Sequence, residues 1–234
     1  MRTGKSKTVW IIVFIFSIAV VLLFYSGFSS TPDVKAASQE VPSAPFKRIA
    51  IAPFVGISPA EAGGSAYRCP ICGAVFSVGP ISDTGISTVE DLFVTRLEES
   101  AKFTIITPDR VGAEYNVLAA AGSFKTSPLA LLKKTGEKLG ADVIVYGAIY
   151  RFRERKGYSY SVEQPASVSF AIHLIRVSDG IILWSGVFDK TQTSLMENVL
   201  QAKFFYKEKG KWVTAKELAR SGMDDVLKTF PSLP

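Results

Sequence analysis

The alternation of apolar and polar positions divides the chain into three stretches. From Val9 to Tyr25 every residue is apolar or aromatic except Ser17, and Gly27 and Phe28 carry the run close to the ~20 residues that span a hydrocarbon core. Residues 1–28 are therefore expected to form a transmembrane anchor or a cleaved signal peptide. Residues 29–46 are rich in Ser, Ala and Pro and have no apolar period, which reads as a flexible linker. From residue 47 to 234 the period changes back and forth between that of strands and that of helices, as expected of one mixed domain.

In the first half of that domain, Arg48 to Phe54 is a short apolar run stopped by Pro53, the pattern of a buried strand opening into a loop. Residues 56–86 contain Gly63-Gly64 and Pro80 and sustain no period, so an irregular insertion is expected there. Ser87 and Glu90 have capping-box spacing, and Val89, Leu92, Phe93 and Leu97 recur at helical intervals. A strand at Phe103–Ile106 is closed by Pro108-Asp109, and a helix over Val111–Ala121 ends at Gly122. Ser127-Pro128 starts another helix with Leu129, Leu132 and Leu139 on its stripe, and Gly140 ends it. A buried strand over Ala141–Gly147 follows.

The second half reads differently. Residues 148–155 place Ile149, Arg151, Arg153 and Arg155 on one face and Tyr150 and Phe152 on the other, the alternation of a half-exposed strand. Val168, Phe170, Ile172 and Leu174 alternate as well, and Asp179-Gly180 turns the chain into the run Ile181–Phe188, a hairpin signal. Ser194 and Glu197 open a helix to about Phe205, and a charged turn spans 207–211. Thr214 and Glu217 box the last helix, whose stripe runs through Ala215, Leu218, Ala219, Gly222, Met223, Val226, Leu227 and Phe230. The order predicts an α/β (α+β) fold: a mixed sheet with helices packed on it in two or three layers, antiparallel in its second half.

Composition changes this picture little, and charge adds a side of the membrane. The net charge of +6 owes half to Arg2, Lys5 and Lys7, so the domain carries too weak a bias to imply a nucleic-acid partner. Those three basic residues precede the apolar run and no acidic residue occurs before Asp33, which predicts a cytoplasmic N-terminus and an exported domain. The expected location is the bacterial inner membrane, single-pass, with the C-terminal domain in the periplasm. Val34-Lys35-Ala36 suits a signal peptidase, and cleavage there would leave a periplasmic protein. No Cys ends the apolar run, so no lipidated cysteine is expected.

Candidate chemistry is sparse. Cys69-Pro70-Ile71-Cys72-Gly73 holds both cysteines of the chain inside the insertion. Two Cys at this spacing grip one edge of a tetrahedral zinc, and the flanking Pro and Gly suit a knuckle, but the remaining ligands would have to be carboxylates or come from a second copy. The same pair also suits a local disulfide outside the cytosol, a redox-active thiol pair or free thiols. A haem attachment is disfavoured because Gly73, not His, follows Cys72. His173, the single histidine, alternates away from Phe170, Ile172 and Leu174 and reads as an ordinary packed or surface residue. No nucleophile elbow and no phosphate-cradling glycine loop occurs. Arg151, Arg153, Arg155 and Lys156, with Tyr158 and Tyr160, form a basic strand edge that is either a solvated guard against sheet pairing or a patch for an acidic partner or anionic lipid headgroups.

Three segments together carry a family resemblance: Arg48–Phe54, Leu139–Gly147, and Arg176-Val177-Ser178-Asp179-Gly180-Ile181-Ile182-Leu183-Trp184-Ser185-Gly186. In order and spacing they resemble the curli secretion lipoprotein family over roughly residues 47–193. The same core is similar to the N-terminal domain of the Tol-Pal translocation protein and to the lipoprotein activators of penicillin-binding proteins. The resemblance implies a periplasmic domain that contacts other envelope proteins and has no active site. It does not imply the family's pore, because this chain lacks the lipidated Cys and its loop from Lys156 to Ala166 is too short to cross a membrane. The expected function is therefore a non-enzymatic envelope protein that binds partner proteins in assembly or secretion, with the membrane and a second copy as further partners. The alternative is a zinc or redox thiol protein using Cys69 and Cys72; no other cofactor is expected.

Overall fold

A computed structural model describes residues 46–121, 127–158, 162–192 and 212–231. The apolar run, the linker up to residue 45, the helix read at 194–205, the charged turn and Tyr160 lie outside these residues. Among the described residues no helix is long and apolar enough to cross a membrane.

The first apolar run forms β1 (Arg48–Ile51), and the chain continues through β2 (Val55–Gly56), α1 (Pro59–Ala62), β3 (Ala66–Arg68) and β4 (Val75–Ser77). Then follow α2 (Gly85–Ser100), β5 (Thr104–Ile106), α3 (Pro108–Ala121) and α4 (Pro128–Leu139). The second half comprises β6 (Val143–Arg153), the short pair β7 (Lys156–Gly157) and β8 (Val162–Gln164), β9 (Ser167–Arg176), β10 (Ile182–Thr191) and α5 (Ala215–Leu227). The main sheet has the order β10-β9-β6-β1-β5, with β2 paired to β6 beyond the end of β1. Pairings among β1, β2, β5 and β6 are parallel, and β9 runs antiparallel to both neighbours. The mixed α/β sheet read from the sequence is thus present.

Three layers result. Towards α2 and α5 the sheet presents Ile49, Ile51, Val143, Val145, Ile149, Phe170, Ile172 and Leu174, which bury Val89, Phe93 and Leu97 of α2 and Leu218, Ala219 and Met223 of α5. Burial of such side chains is worth roughly 1.5–3 kcal/mol each before entropy is counted. The other face presents Ala50, Ile144, Ala148, Tyr150, Ala171 and Ile175 to Val111 of α3 and Leu132 of α4. The insertion covers the same face, contributing Cys69, Ile71, Phe76 and Val78 to its core.

Local signals explain most boundaries. Ser127 Oγ accepts from the Ala130 N–H at 3.2 Å to start α4, and Thr214 with Glu217 forms the expected capping box of α5. Asp142 accepts the Lys47 and Arg48 N–H groups at 2.8 and 2.9 Å, which ties the start of β1 to that of β6. The Asp179-Gly180 turn is real: Gly180 sits at φ 78°, where a side chain would be strained, and the Ile181 N–H bonds to Asp179 Oδ1 at 3.0 Å.

Three expectations are corrected. The capping box at Ser87 and Glu90 is absent, because α2 begins earlier, at Gly85, with Thr84 as an N-cap whose side chain makes no capping bond. Glu90 instead accepts the Phe54 N–H at 2.6 Å and anchors the loop after β1. The strand over 148–155 is central, not half-exposed: β9 flanks it on one side, and β2 with the backbone of 79–82 on the other. Tyr150 and Phe152 also fall on opposite faces, in separate core clusters. A bulge between Ile149 and Arg151 inserts one residue into the ladder and reverses the alternation after it. Finally, the insertion carries local structure: the β3–β4 hairpin places the Cys69–Gly73 loop at its tip.

Candidate functional site

The two cysteines and the histidine come together on the sheet face covered by the insertion. Strand register aligns Tyr146 of β6, His173 of β9 and Ser185 of β10 in one cross-strand row. Over this row the β3–β4 hairpin closes its loop with Cys69 N–H to Ala74 C=O at 2.8 Å and Gly73 N–H to Cys69 C=O at 2.9 Å. Gly73 adopts φ 73°, the left-handed conformation that the tight turn after Cys72 requires. Ile71 packs into the core beneath the loop. As a result Cys69 is buried, whereas Cys72 stays exposed at the rim.

One ligating atom each from Cys69, Cys72 and His173 lies within 4.8 Å of the other two. Cys69 Sγ is 3.5 Å from His173 Nε2, and His173 Nδ1 is 2.8 Å from Ser185 Oγ. His173 is fully buried; its ring stacks on that of Tyr146 with centroids 6.3 Å apart. Tyr150, stacked on Phe76 at 4.1 Å, completes the wall.

Electrostatics divides the thiols. Burial raises the Cys69 pKa, but hydrogen bonds from His173, from the backbone N–H groups of Cys72 and Ile71 and from the Tyr150 hydroxyl outweigh it and lower the thiol to about 6. Cys72 is pushed up, first by burial and further by the sulfur of Cys69. Tyr146 and Tyr150 are pushed up by burial and by the Cys69 charge, so both hydroxyls stay protonated. A disulfide-exchange pair needs its activated thiolate at the surface. Here the activated sulfur is the buried one, an arrangement suited to coordination rather than to attack.

Sequence reasoning found the cysteines and missed their partner. A signal was available: His173 shares its strand face with Ser167 and Ser169, an unusual pair for a core strand, and both are buried. Nothing in the sequence placed the insertion above that face.

The basic residues serve other ends. Arg151 donates to Ser167 Oγ at 2.6 Å and to the Ser77 carbonyl at 3.2 Å, and it pairs with Asp189. Arg153 reaches the Pro165 carbonyl at 3.5 Å, and Arg155 donates to the Trp212 carbonyl. These three guanidinium groups brace the end of the sheet. Lys156 is exposed and Tyr158 is 82% exposed on the β7–β8 hairpin.

No family model matches the sequence, and no curated protein matches it. Among solved structures the chain is similar to the PelC dodecamer from Paraburkholderia phytofirmans, at 13% identity over 78% of this chain and 85% of that one, with a TM-score of 0.41. It is also similar to the lipoprotein GNA1162 from Neisseria meningitidis, at 15% identity over 70% of this chain and 99% of that one, TM-score 0.38. The C-terminal domain of LpoB from Escherichia coli matches at 13% identity over 63% and 84% of the respective chains, TM-score 0.37. None of these three is a curli secretion protein. At such identities and scores the likeness is one of coarse chain trace, and it decides neither partner nor activity.

Proposed function

We propose that the protein is a non-enzymatic, membrane-held component of the cell envelope whose α/β domain works outside the cytosol by binding other envelope proteins. The observation that carries this reading is the apolar run at residues 9–28, preceded by Arg2, Lys5 and Lys7 and joined to the folded domain by a Ser, Ala and Pro connector. Such a leader holds a domain at the membrane and sets it on the outer side. The surface assigned to partners is the β7–β8 hairpin, where Lys156 and Tyr158 are both exposed. The curli-type resemblance read from residues 47–193 is consistent with an assembly or secretion role.

Two measurements test this. Alkaline phosphatase fused at the C-terminus should be active, since that enzyme matures only outside the cytosol; activity confined to a cytoplasmic reporter at the same position would end the reading. A photocrosslinking residue at position 158 should trap an envelope protein that the same residue at Val117, exposed on α3, does not trap. Equal labelling from both positions would remove the hairpin as the binding surface.

A further inference from the structure

The cluster over β9 has the donor set, spacing and support of a metal centre. In a tetrahedral zinc site with Zn–S near 2.3 Å and Zn–N near 2.05 Å, a sulfur and a nitrogen ligand stand about 3.6 Å apart. Cys69 Sγ and His173 Nε2 are 3.5 Å apart without any ion between them. That edge of the tetrahedron is already formed. The third corner, Cys72 Sγ, lies within 4.8 Å of both and belongs to an exposed residue, so a small rotation brings it to bonding distance without disturbing the core.

The surroundings support the same chemistry. With zinc on Nε2, Nδ1–H would donate to Ser185 Oγ, 2.8 Å away, and so fix the His173 ring. Two thiolates and a neutral imidazole around a divalent ion sum to zero charge, which limits the penalty of holding an ion beside a buried histidine. Sulfur and imidazole donors select zinc over magnesium or calcium. Among the described residues no fourth thiol, imidazole or carboxylate joins the group.

We propose that Cys69, Cys72 and His173 bind one zinc ion, with the fourth position, on the solvent side beside Cys72, taken by an exchangeable water. Binding releases the remaining thiol protons to solvent and moves no electrons. The site clamps the insertion to β9 and leaves one coordination position open. It is independent of which side of the membrane the domain occupies.

The test uses the full chain, extracted in detergent, purified under reducing conditions, loaded with zinc and desalted. One zinc per chain is expected. Replacing zinc by cobalt(II) should give the intense visible bands of a tetrahedral thiolate complex, which only these two cysteines can supply. Azide should shift those bands by displacing the water; bands indifferent to azide would overturn the open position. Cys72→Ser, at the exposed rim, should fold normally and lose stoichiometric zinc. His173→Gln should lose it as well, and Ser185→Ala should weaken affinity about 10-fold by freeing the ring. Wild-type protein that takes up no zinc after reduction, or a Cys72→Ser protein that binds as tightly as wild type, would overturn the site.

Discussion

Along β9 the side chains directed at α2 and α5 are Val168, Phe170, Ile172 and Leu174, whereas Ser167, Ser169, Ala171, His173 and Ile175 lie on the opposite face, which the insertion, α3 and α4 cover. Every residue from Ser167 to Ile175 is buried. One strand therefore builds two interiors. On the first side, large apolar side chains interdigitate with two amphipathic helices in the ordinary way. On the second, small and polar side chains leave room for a loop to descend, and the loop brings sulfur to the imidazole. The difference teaches that equal burial does not mean equal purpose: one face is filled to hold the fold, and the other is hollowed and lined with donors.

Substitutions can break or sharpen this contrast. The largest effect is expected on the apolar side, where Phe93 of α2 is fully buried against Phe54 and Phe230. Phe93→Ala should cost about 3–5 kcal/mol in denaturant unfolding while leaving the Cys-loop chemistry of the remaining folded protein intact. A cost below that of changes on the other face would erase the contrast. Next, Ala171 stands opposite Ala148 on the sheet face that the insertion helps to cover. Ala171→Leu should overfill that space, costing about 1–3 kcal/mol and lifting the loop, read as faster alkylation of Cys69. An unchanged alkylation rate would show that the loop does not rest on Ala171.

Asp189→Ala should cost about 1–2 kcal/mol in the same unfolding assay, because it strips a charge partner from Arg151, whose side chain is only 13% exposed. The smallest effect concerns Ser169, whose buried hydroxyl has no hydrogen-bond partner. Ser169→Ala should be neutral or stabilising by less than about 1 kcal/mol. A clear loss of stability would mean that the hydroxyl has a use, and that the second face is more tightly organised than its hydrogen bonds indicate.

How far these features are legible in the sequence depends on the range of the interactions behind them. The α4 and α5 starts, the Asp179-Gly180 turn and the alternation of His173 away from Phe170, Ile172 and Leu174 rest on contacts within a few residues, and each is present as expected. The Ser87–Glu90 box fails because Glu90 has a better use thirty-six residues away, at the Phe54 amide. The faces of Tyr150 and Phe152 fail because a bulge costs no distinctive residue type and leaves no mark in the pattern. The basic strand reads as an edge because the segments covering it, β2 and residues 79–82, come from an insertion with no period of its own.

By itself, the order of residues determined the mixed α/β class, the starts of α4 and α5, the Asp179-Gly180 turn, the two-sided character of β9 and the presence of a Cys-x-x-Cys loop, since each follows from local sterics, capping and period. Only the tertiary structure decided that the Cys-x-x-Cys loop lies on His173, that the buried cysteine is the one whose thiol is lowered and that the arginines brace the end of the sheet. Cys69 and His173 are 104 residues apart along the chain. Their meeting depends on which strand lies at the centre of the sheet and which loop folds over it, and no local preference carries that information.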